Sequence, residues 1–95
     1  MINKRHFMES MMDQTAFHPE AIPGYPIVEI AGERRVLIEN HNGVAAYGKN
    51  SILVNVKYGT IGISGCSLEI VRMTQEQLII CGKIGSVELQ RRKSF

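Results

Sequence analysis

The sequence predicts a mainly β fold. We expect one small domain of about eight short antiparallel strands, arranged as a sandwich, a rolled sheet or an open barrel and preceded by a short helical segment. Between residues 27 and 90, short stretches with alternating apolar and polar residues follow one another, as is typical of half-buried strands. The connections between these stretches are short, which favours antiparallel pairing of consecutive strands.

A recurring glycine accompanies the strand pattern. Gly32, Gly48, Gly65 and Gly82 follow one another at intervals of 16, 17 and 17 residues, each after a short apolar stretch. A unit of this length accommodates a strand, a bend and a second strand. We therefore expect these glycines to be structural, at corners where a strand bends from one layer to another. A β-solenoid is the alternative interpretation of the period.

The strands and turns can be placed individually. The predicted strands cover residues 27–31, 34–39, 44–47, 51–57, 60–64, 67–73, 78–81 and 87–90. The strongest turn signal lies between the second and third strands, at Asn40, His41, Asn42 and Gly43. Asparagine and glycine accept the positive φ angles of tight turns, so this segment predicts a β-hairpin.

The chain divides into three parts: an N-terminal helical docking segment (1–26), a β domain (27–90) and a basic tail (91–95). Four of the five methionines lie in the first part. Its apolar residues follow helical spacing, and those expected to contact a partner are Phe7, Met8, Met11 and Met12. Methionine adapts to irregular surfaces, and so short a helix is unstable alone. We therefore expect this segment to dock on a partner or on the domain itself.

Size and charge narrow the class of protein. A chain of 95 residues forms one domain with one small core. Its net charge of +2 is too small to indicate nucleic-acid binding. No apolar stretch approaches the roughly 20 residues of a membrane-spanning helix, and the charged start does not resemble a signal peptide. A cytoplasmic location is expected. The basic ends are interpreted as solubilising, with contact to an anionic membrane surface as the alternative.

The sequence contains no recognisable catalytic constellation. Ser64 follows Gly62 and Ile63, but the spacing and the strand–helix context of a hydrolase nucleophile elbow are missing. Cys66 and Cys81 lack the spacing of metal ligands, so they are expected to be small, buried and reduced. A histidine in a turn is usually solvated, which is the expectation for His41. A small-ligand or metal-binding barrel, using His41 and a cysteine, is the alternative; no cofactor is expected.

Several stretches together resemble one protein family. They are Val36-Leu37-Ile38-Glu39-Asn40-His41-Asn42-Gly43, Gly59-Thr60-Ile61-Gly62-Ile63-Ser64-Gly65, Leu68-Glu69-Ile70 and Leu78-Ile79-Ile80-Cys81-Gly82-Lys83-Ile84. In this order and spacing, they make residues 27–89 similar to the YabP/YqfC sporulation protein family, closer to its YqfC side. The resemblance implies a small mother-cell protein that accompanies a membrane protein and has no established enzymatic activity. The family's most characteristic element corresponds here to Glu39, Asn40, His41, Asn42 and Gly43.

From these observations we expect a non-enzymatic interaction or scaffold module in spore morphogenesis. Its expected partner is a membrane protein of the sporulation machinery, with a homo-oligomer as a second option and no nucleic acid. The expected location is the cytoplasm on the mother-cell side, with a peripheral membrane position left open. The expected interaction elements are the methionine-rich segment, an open strand edge that accepts a further strand, and the turn at residues 40–43.

Overall fold

A computed structural model describes residues 23–92 of the chain, all of whose regular structure is β-strand. The six strands are β1 (Ile27–Ala31), β2 (Arg35–Glu39), β3 (Val44–Tyr47), β4 (Ser51–Val56), β5 (Gly59–Met73) and β6 (Gln77–Arg91). All pairs are antiparallel, within one sheet of order β1-β2-β6-β5-β4-β3. The predicted mainly β, antiparallel fold is confirmed. The predicted helix and residues 93–95 lie outside the described part.

The strand count is six instead of about eight because β5 and β6 are continuous. Each is 15 residues long and covers two predicted strands. The two halves of this long hairpin have different neighbours: residues 59–64 of β5 pair with β4, whereas residues 77–81 of β6 pair with β2. The glycines between the predicted strands therefore mark bends within strands, not turns that end them.

The sheet is folded over onto itself around one core. Buried side chains of β2 and β4 belong to the same apolar cluster, although these strands are not neighbours in the sheet. The core residues are Val36, Ile38, Ile52, Val54, Val56, Ile61, Ile63, Leu68, Leu78 and Ile80. The first layer contains β1, β2 and the halves of β5 and β6 that adjoin the turn at residues 74–76. The second layer contains β3, β4, the first half of β5 and the second half of β6. This is the rolled sheet among the predicted arrangements. The solenoid alternative is wrong, because every pairing is antiparallel.

The bend between the layers depends on close backbone contact between β5 and β6. A Cβ atom on Gly65 would overlap the carbonyl oxygen of Lys83, and one on Gly82 would lie 2.6 Å from the carbonyl oxygen of Ser67. The pairing of β5 with β6 shifts register beside Gly65 and again after Cys66. Such irregularities bend a strand and increase its twist. Gly32 and Gly48, by contrast, lie in the turns after β1 and β3.

The predicted hairpin at residues 40–43 is wrong, because β2 and β3 lie far apart in the sheet order. The segment is a crossover that leaves the first layer and enters the second. The Asn40 amide donates to the Glu76 carbonyl, extending the β2–β6 pairing, and the Asn42 amide donates to the carbonyl of Asn55 in β4. Asn40 and Gly43 have φ angles of 63° and 100°. The positive φ angles expected from the sequence thus redirect the chain between layers instead of reversing it beside β2.

In the described residues 23–92, no helix is long and apolar enough to span a membrane.

Candidate interaction site at the edge of strand β3

His41 is the centre of the crossover. Its side chain is only 7% exposed, so the expectation of a solvated histidine is wrong. Nδ1 accepts a hydrogen bond from the Gly43 amide at 3.0 Å, and Nε2 lies 2.8 Å from the Thr74 carbonyl oxygen. A carbonyl can only accept, so Nε2 carries the proton and the ring is neutral. His41 thereby joins the crossover to the β5–β6 turn, and both of its nitrogens are occupied.

The remaining crossover residues divide between internal and exposed roles. The Asn40 side-chain amide donates to the Tyr25 carbonyl at 2.8 Å, which ties the entry into β1 to the end of β2. Gly43 is half-buried, whereas Glu39 and Asn42 are exposed. Two side chains of the predicted interaction turn are therefore available to a partner, and the others hold the fold together.

The other expected site residues do not form a cluster. Cys66 is exposed and Cys81 half-buried, both as free thiols, so the expectation of two buried cysteines is wrong. Within residues 23–92, no group of three or more His, Cys, Asp or Glu side chains is placed to hold a metal ion. The predicted contact residues of the N-terminal segment lie outside the described part of the chain: Phe7, Met8, Met11 and Met12.

The exposed apolar side chains follow the open edges of the sheet. Within the described residues, each layer ends on both sides in a segment that pairs with only one neighbour. These edge segments are β1, β3, residues 69–73 of β5 and residues 86–91 of β6. Among residues 23–92, all large apolar residues that are more than half exposed lie on these segments, namely Ile30, Tyr47, Val71, Met73 and Leu89. Within residues 23–92, an apolar contact surface for a partner therefore includes a strand edge.

Charge distinguishes β3 from the other edge segments. Natural proteins protect open edges with charged side chains, which discourage pairing with a further strand. Glu29 provides such a charge on β1, and the edge segments of β5 and β6 each carry an acidic and a basic residue. The sequence of β3, Val-Ala-Ala-Tyr, carries none. In the part of the chain that the structure describes, only the short length of β3 and a bulge between Val44 and Ala46 discourage pairing at this edge.

A groove of about 390 Å³ lies beside the end of β3. Its lining residues are Tyr47, Lys49, Ser67, Leu68 and Glu69. The size is within the range of small-ligand sites and is ample for one or two side chains of a peptide. Tyr47, which is 60% exposed, forms an aromatic wall, and Lys49 and Glu69 provide one charge of each sign. The groove can therefore accept an apolar side chain flanked by polar groups.

Backbone hydrogen bonds hold the groove in shape. The Leu68 amide donates to the Lys49 carbonyl at 2.8 Å, and the Gly65 amide donates to the Asn50 carbonyl at 3.0 Å. These bonds attach the β3–β4 turn to the bend of β5. Ser67, at the bend, has a φ angle of 52°, a left-handed conformation uncommon for residues other than glycine. The groove is thus built from an edge strand, a turn and an irregular bend that fix one another.

None of the groove residues is predicted as a site residue from the sequence. One signal was available: Val44 to Tyr47 is an apolar strand without charge, next to the expected glycine turn at Gly48. No signal pointed to Ser67, because serine does not ordinarily adopt its left-handed conformation. The groove also joins residues that are about twenty positions apart, and only the bend of β5 brings them together.

Comparisons with known proteins identify the family. The family model of the YabP family matches residues 26–95, which is most of the chain and includes the whole described sheet. The chain is 28% identical over 69 residues to the uncharacterized protein YqfC of Bacillus subtilis (strain 168), covering 73% of this chain and 74% of the relative. No solved structure matches the chain. The chain therefore belongs to the YabP family, the sporulation protein family whose motifs it carries.

Proposed function

We propose that this protein is a non-enzymatic interaction module in spore formation that binds an extended segment of a membrane-protein partner. The segment would add as a further strand to the free edge of β3. The observation that carries this proposal is the combination of an uncharged edge with an adjoining groove. In recognition by strand addition, main-chain hydrogen bonds supply affinity and side-chain pockets supply specificity. Here β3 supplies the main-chain groups and the groove supplies the pocket.

Because the edge of β3 is short, specific recognition of a partner also requires the groove. Because β3 has four residues, it can form only a few hydrogen bonds with an added strand, each contributing about 0.5–1.5 kcal/mol net. Such bonds alone do not discriminate between sequences. An apolar side chain placed against Tyr47 adds buried area and favours one register. We therefore expect the bound segment to carry a large apolar residue opposite the end of β3.

Hydrogen bonds before and after β3 keep the strand ordered in the absence of a partner. At its start, the Asn42 and Asn55 amides donate to the Asn55 and Gly43 carbonyls at 2.7 and 2.8 Å. At its end, the hydrogen bonds of Lys49 and Asn50 attach the following turn to β5. A surface already ordered before binding loses less conformational entropy when the partner arrives. The crossover at residues 40–43 thus contributes to binding indirectly, by positioning the strand that follows it.

The cellular setting of the proposal comes from the family. Membership in a sporulation family supports a role in spore formation, and the resemblance implies a membrane-protein companion and a location on the mother-cell side. The absence of a recognisable catalytic motif is the reason for proposing binding instead of catalysis. The accessory role, the partner and the location belong to the proposal.

A comparison of two edge variants tests the proposed site. Tagged wild-type protein, Tyr47→Ala and Val71→Ala would be recovered from sporulating cells of the source organism after solubilising the membranes. Val71 is the matched control, because it is also an exposed apolar residue on an edge, 51% exposed against 60% for Tyr47. We expect the wild type and Val71→Ala to recover the same integral membrane protein, and Tyr47→Ala to lose it.

Hydrogen exchange on the purified complex provides direct evidence on the strand. Strand addition should slow exchange of amides in residues 44–47, while the edge segment at residues 69–73 should remain unchanged. Protection at residues 69–73 instead of β3 would contradict the proposed edge. Recovery of only further copies of this chain would contradict the membrane-protein partner and indicate a self-assembling scaffold.

A further inference from the structure

A cluster of cations lies at the end of the domain opposite the bend. Lys57 follows β4, and Arg91 and Arg92 lie at the end of β6. All three are exposed. The Arg92 guanidinium donates a hydrogen bond to the Lys57 carbonyl oxygen, and the Arg92 amide donates to the Tyr58 carbonyl at 2.9 Å. The fold thus brings together three positive charges from segments more than 30 positions apart. We refer to Lys57, Arg91 and Arg92 as the basic end.

Close backbone packing creates the basic end. Gly59 pairs with Arg91, and a Cβ atom on Gly59 would overlap the Gln90 carbonyl oxygen. Only glycine therefore lets β6 approach the start of β5 this closely. The residues next to the cations in this pairing, Val56, Thr60 and Gln90, are uncharged. Glu88, in the same half of β6, accepts a hydrogen bond from the Gln90 side-chain amide at 2.9 Å, whereas Glu39 and Glu76 belong to the other layer. In the described part of the chain, the three cations therefore outnumber the one carboxylate on this side of the domain.

Two tyrosines accompany the cations. The rings of Tyr25 and Tyr58 pack at a centroid distance of 5.9 Å and an angle of 58°, and both are half-buried. The Lys57 ammonium donates to the Pro23 carbonyl at 3.1 Å, so the chain enters the domain at this same end. The tyrosine side chain has an apolar ring and a polar hydroxyl group, and it is therefore enriched at the boundary between membrane and water. Rings that pack against each other are poorly available for stacking on nucleic-acid bases, which need a free aromatic face.

We propose that the basic end binds the surface of a membrane containing anionic phospholipid. Clustered Lys and Arg residues gain about 1 kcal/mol each near such a surface, or about a fivefold increase in affinity per charge. Three charges together give about a hundredfold preference for anionic over neutral lipid. This inference goes beyond the proposed function, because it concerns lipid and a surface at the other end of the domain from the β3 groove. It would also place the groove on the side of the domain facing away from the membrane.

Vesicle sedimentation with the full chain tests this proposal. We expect wild-type protein to sediment with vesicles of phosphatidylcholine and phosphatidylserine, and not with phosphatidylcholine alone. The triple variant Lys57→Gln, Arg91→Gln, Arg92→Gln should bind the anionic vesicles about a hundredfold more weakly. Raising the ionic strength to about 1 M, where the screening length is about 3 Å, should release the wild type.

A charge-matched triple variant separates the site from overall charge. Arg34→Gln, Arg35→Gln, Lys83→Gln has the same net charge but changes exposed residues away from the basic end, and it should bind like the wild type. Thermal unfolding of both variants would show that each is folded. Equal loss in the two triples, or none in the first, would overturn the proposal. So would displacement of vesicles by inorganic phosphate at equal ionic strength, or tighter binding to a single-stranded RNA than to the anionic vesicles.

Discussion

The crossover at residues 40–43 and strand β3 are consecutive in the chain, yet they have opposite relations to their surroundings. The crossover is rich in polar groups, and its buried ones are satisfied within the domain: His41 uses both ring nitrogens, and the Asn40 side chain reaches Tyr25. Strand β3 is mostly exposed, carries no charge and pairs on one side only within the described sheet. The segment with the stronger sequence signature therefore builds the fold, while the plainer segment remains available for binding.

This contrast has a general physical reason. A tight change of direction between layers requires particular φ angles and partners for the backbone groups it removes from the strands. Those requirements select distinctive residues such as asparagine, histidine and glycine. An edge that accepts a partner's strand requires little beyond an extended backbone and the absence of repelling charge. Conspicuous residues thus need not indicate a binding surface, and inconspicuous ones can form it.

The largest expected difference in the free energy of unfolding is between alanine substitutions of Gly65, in the bend of β5, and Gly48, in the turn after β3. Gly65→Ala should destabilise the domain by about 3 kcal/mol or more, because the new methyl group would overlap the Lys83 carbonyl and force β5 and β6 apart. Gly48→Ala, in the turn after β3, should cost less than about 0.5 kcal/mol. The new Cβ atom would lie 3.4 Å from its nearest neighbour, the Ser51 carbonyl oxygen. Urea unfolding of both variants measures the difference. A loss for Gly65→Ala as small as that expected for Gly48→Ala would show that the bend tolerates a side chain at Gly65.

His41 and Tyr47 provide the next comparison. His41→Ala leaves the Gly43 amide and the Thr74 carbonyl without their partner, which should reduce the free energy of unfolding by about 2 kcal/mol. Tyr47→Ala removes an exposed side chain and should change it by less than about 0.5 kcal/mol. Chemical denaturation followed by circular dichroism measures both. A loss at Tyr47 as large as that at His41 would assign the tyrosine a structural role and weaken its proposed role in binding.

Two asparagines of the crossover should differ by a smaller amount. Asn40→Ala loses the hydrogen bond to Tyr25 and places alanine at a φ angle of 63°, which should cost about 1–2 kcal/mol. Asn42→Ala changes an exposed side chain and should cost less than about 0.5 kcal/mol. Asn40→Gly should recover part of the loss, because glycine accepts the backbone conformation without strain. Absence of such recovery would show that the hydrogen bond alone accounts for the effect.

The smallest expected effect concerns pH at the basic end. Burial, and secondarily the neighbouring Tyr25, raise the pKa of Tyr58 above its ordinary value of 10.0, against the opposing influence of Arg91. The unfolded chain therefore releases this proton first, so the contribution of Tyr58 to stability declines as the pH rises above about 10. Unfolding of the wild type and Tyr58→Phe between neutral pH and pH of about 11 isolates this contribution. A wild type that loses no more stability than Tyr58→Phe would contradict the raised pKa.

Local sequence patterns are sufficient to predict the positions of most strands. The alternation at residues 51–57 predicted β4 to within one residue, and β1 and β3 begin and end where the pattern placed them. The same local signals failed at the crossover: positive φ angles were predicted correctly at Asn40 and Gly43, but they do not specify which strand lies alongside. A hairpin and a crossover can satisfy the same local requirements, and only pairing with a distant strand distinguishes them.

The family could be recognised from the sequence motifs. The β class, most strand boundaries and the positions where the chain turns or bends could also be predicted from the amino-acid sequence. These properties depend on near neighbours in the chain, through side-chain alternation and backbone conformation. The sheet order, the burial of His41, the groove beside β3 and the contact between Lys57 and Arg92 became visible only in the three-dimensional fold. Each of these joins residues distant in sequence, because the β5–β6 hairpin bends once and is shared between two layers.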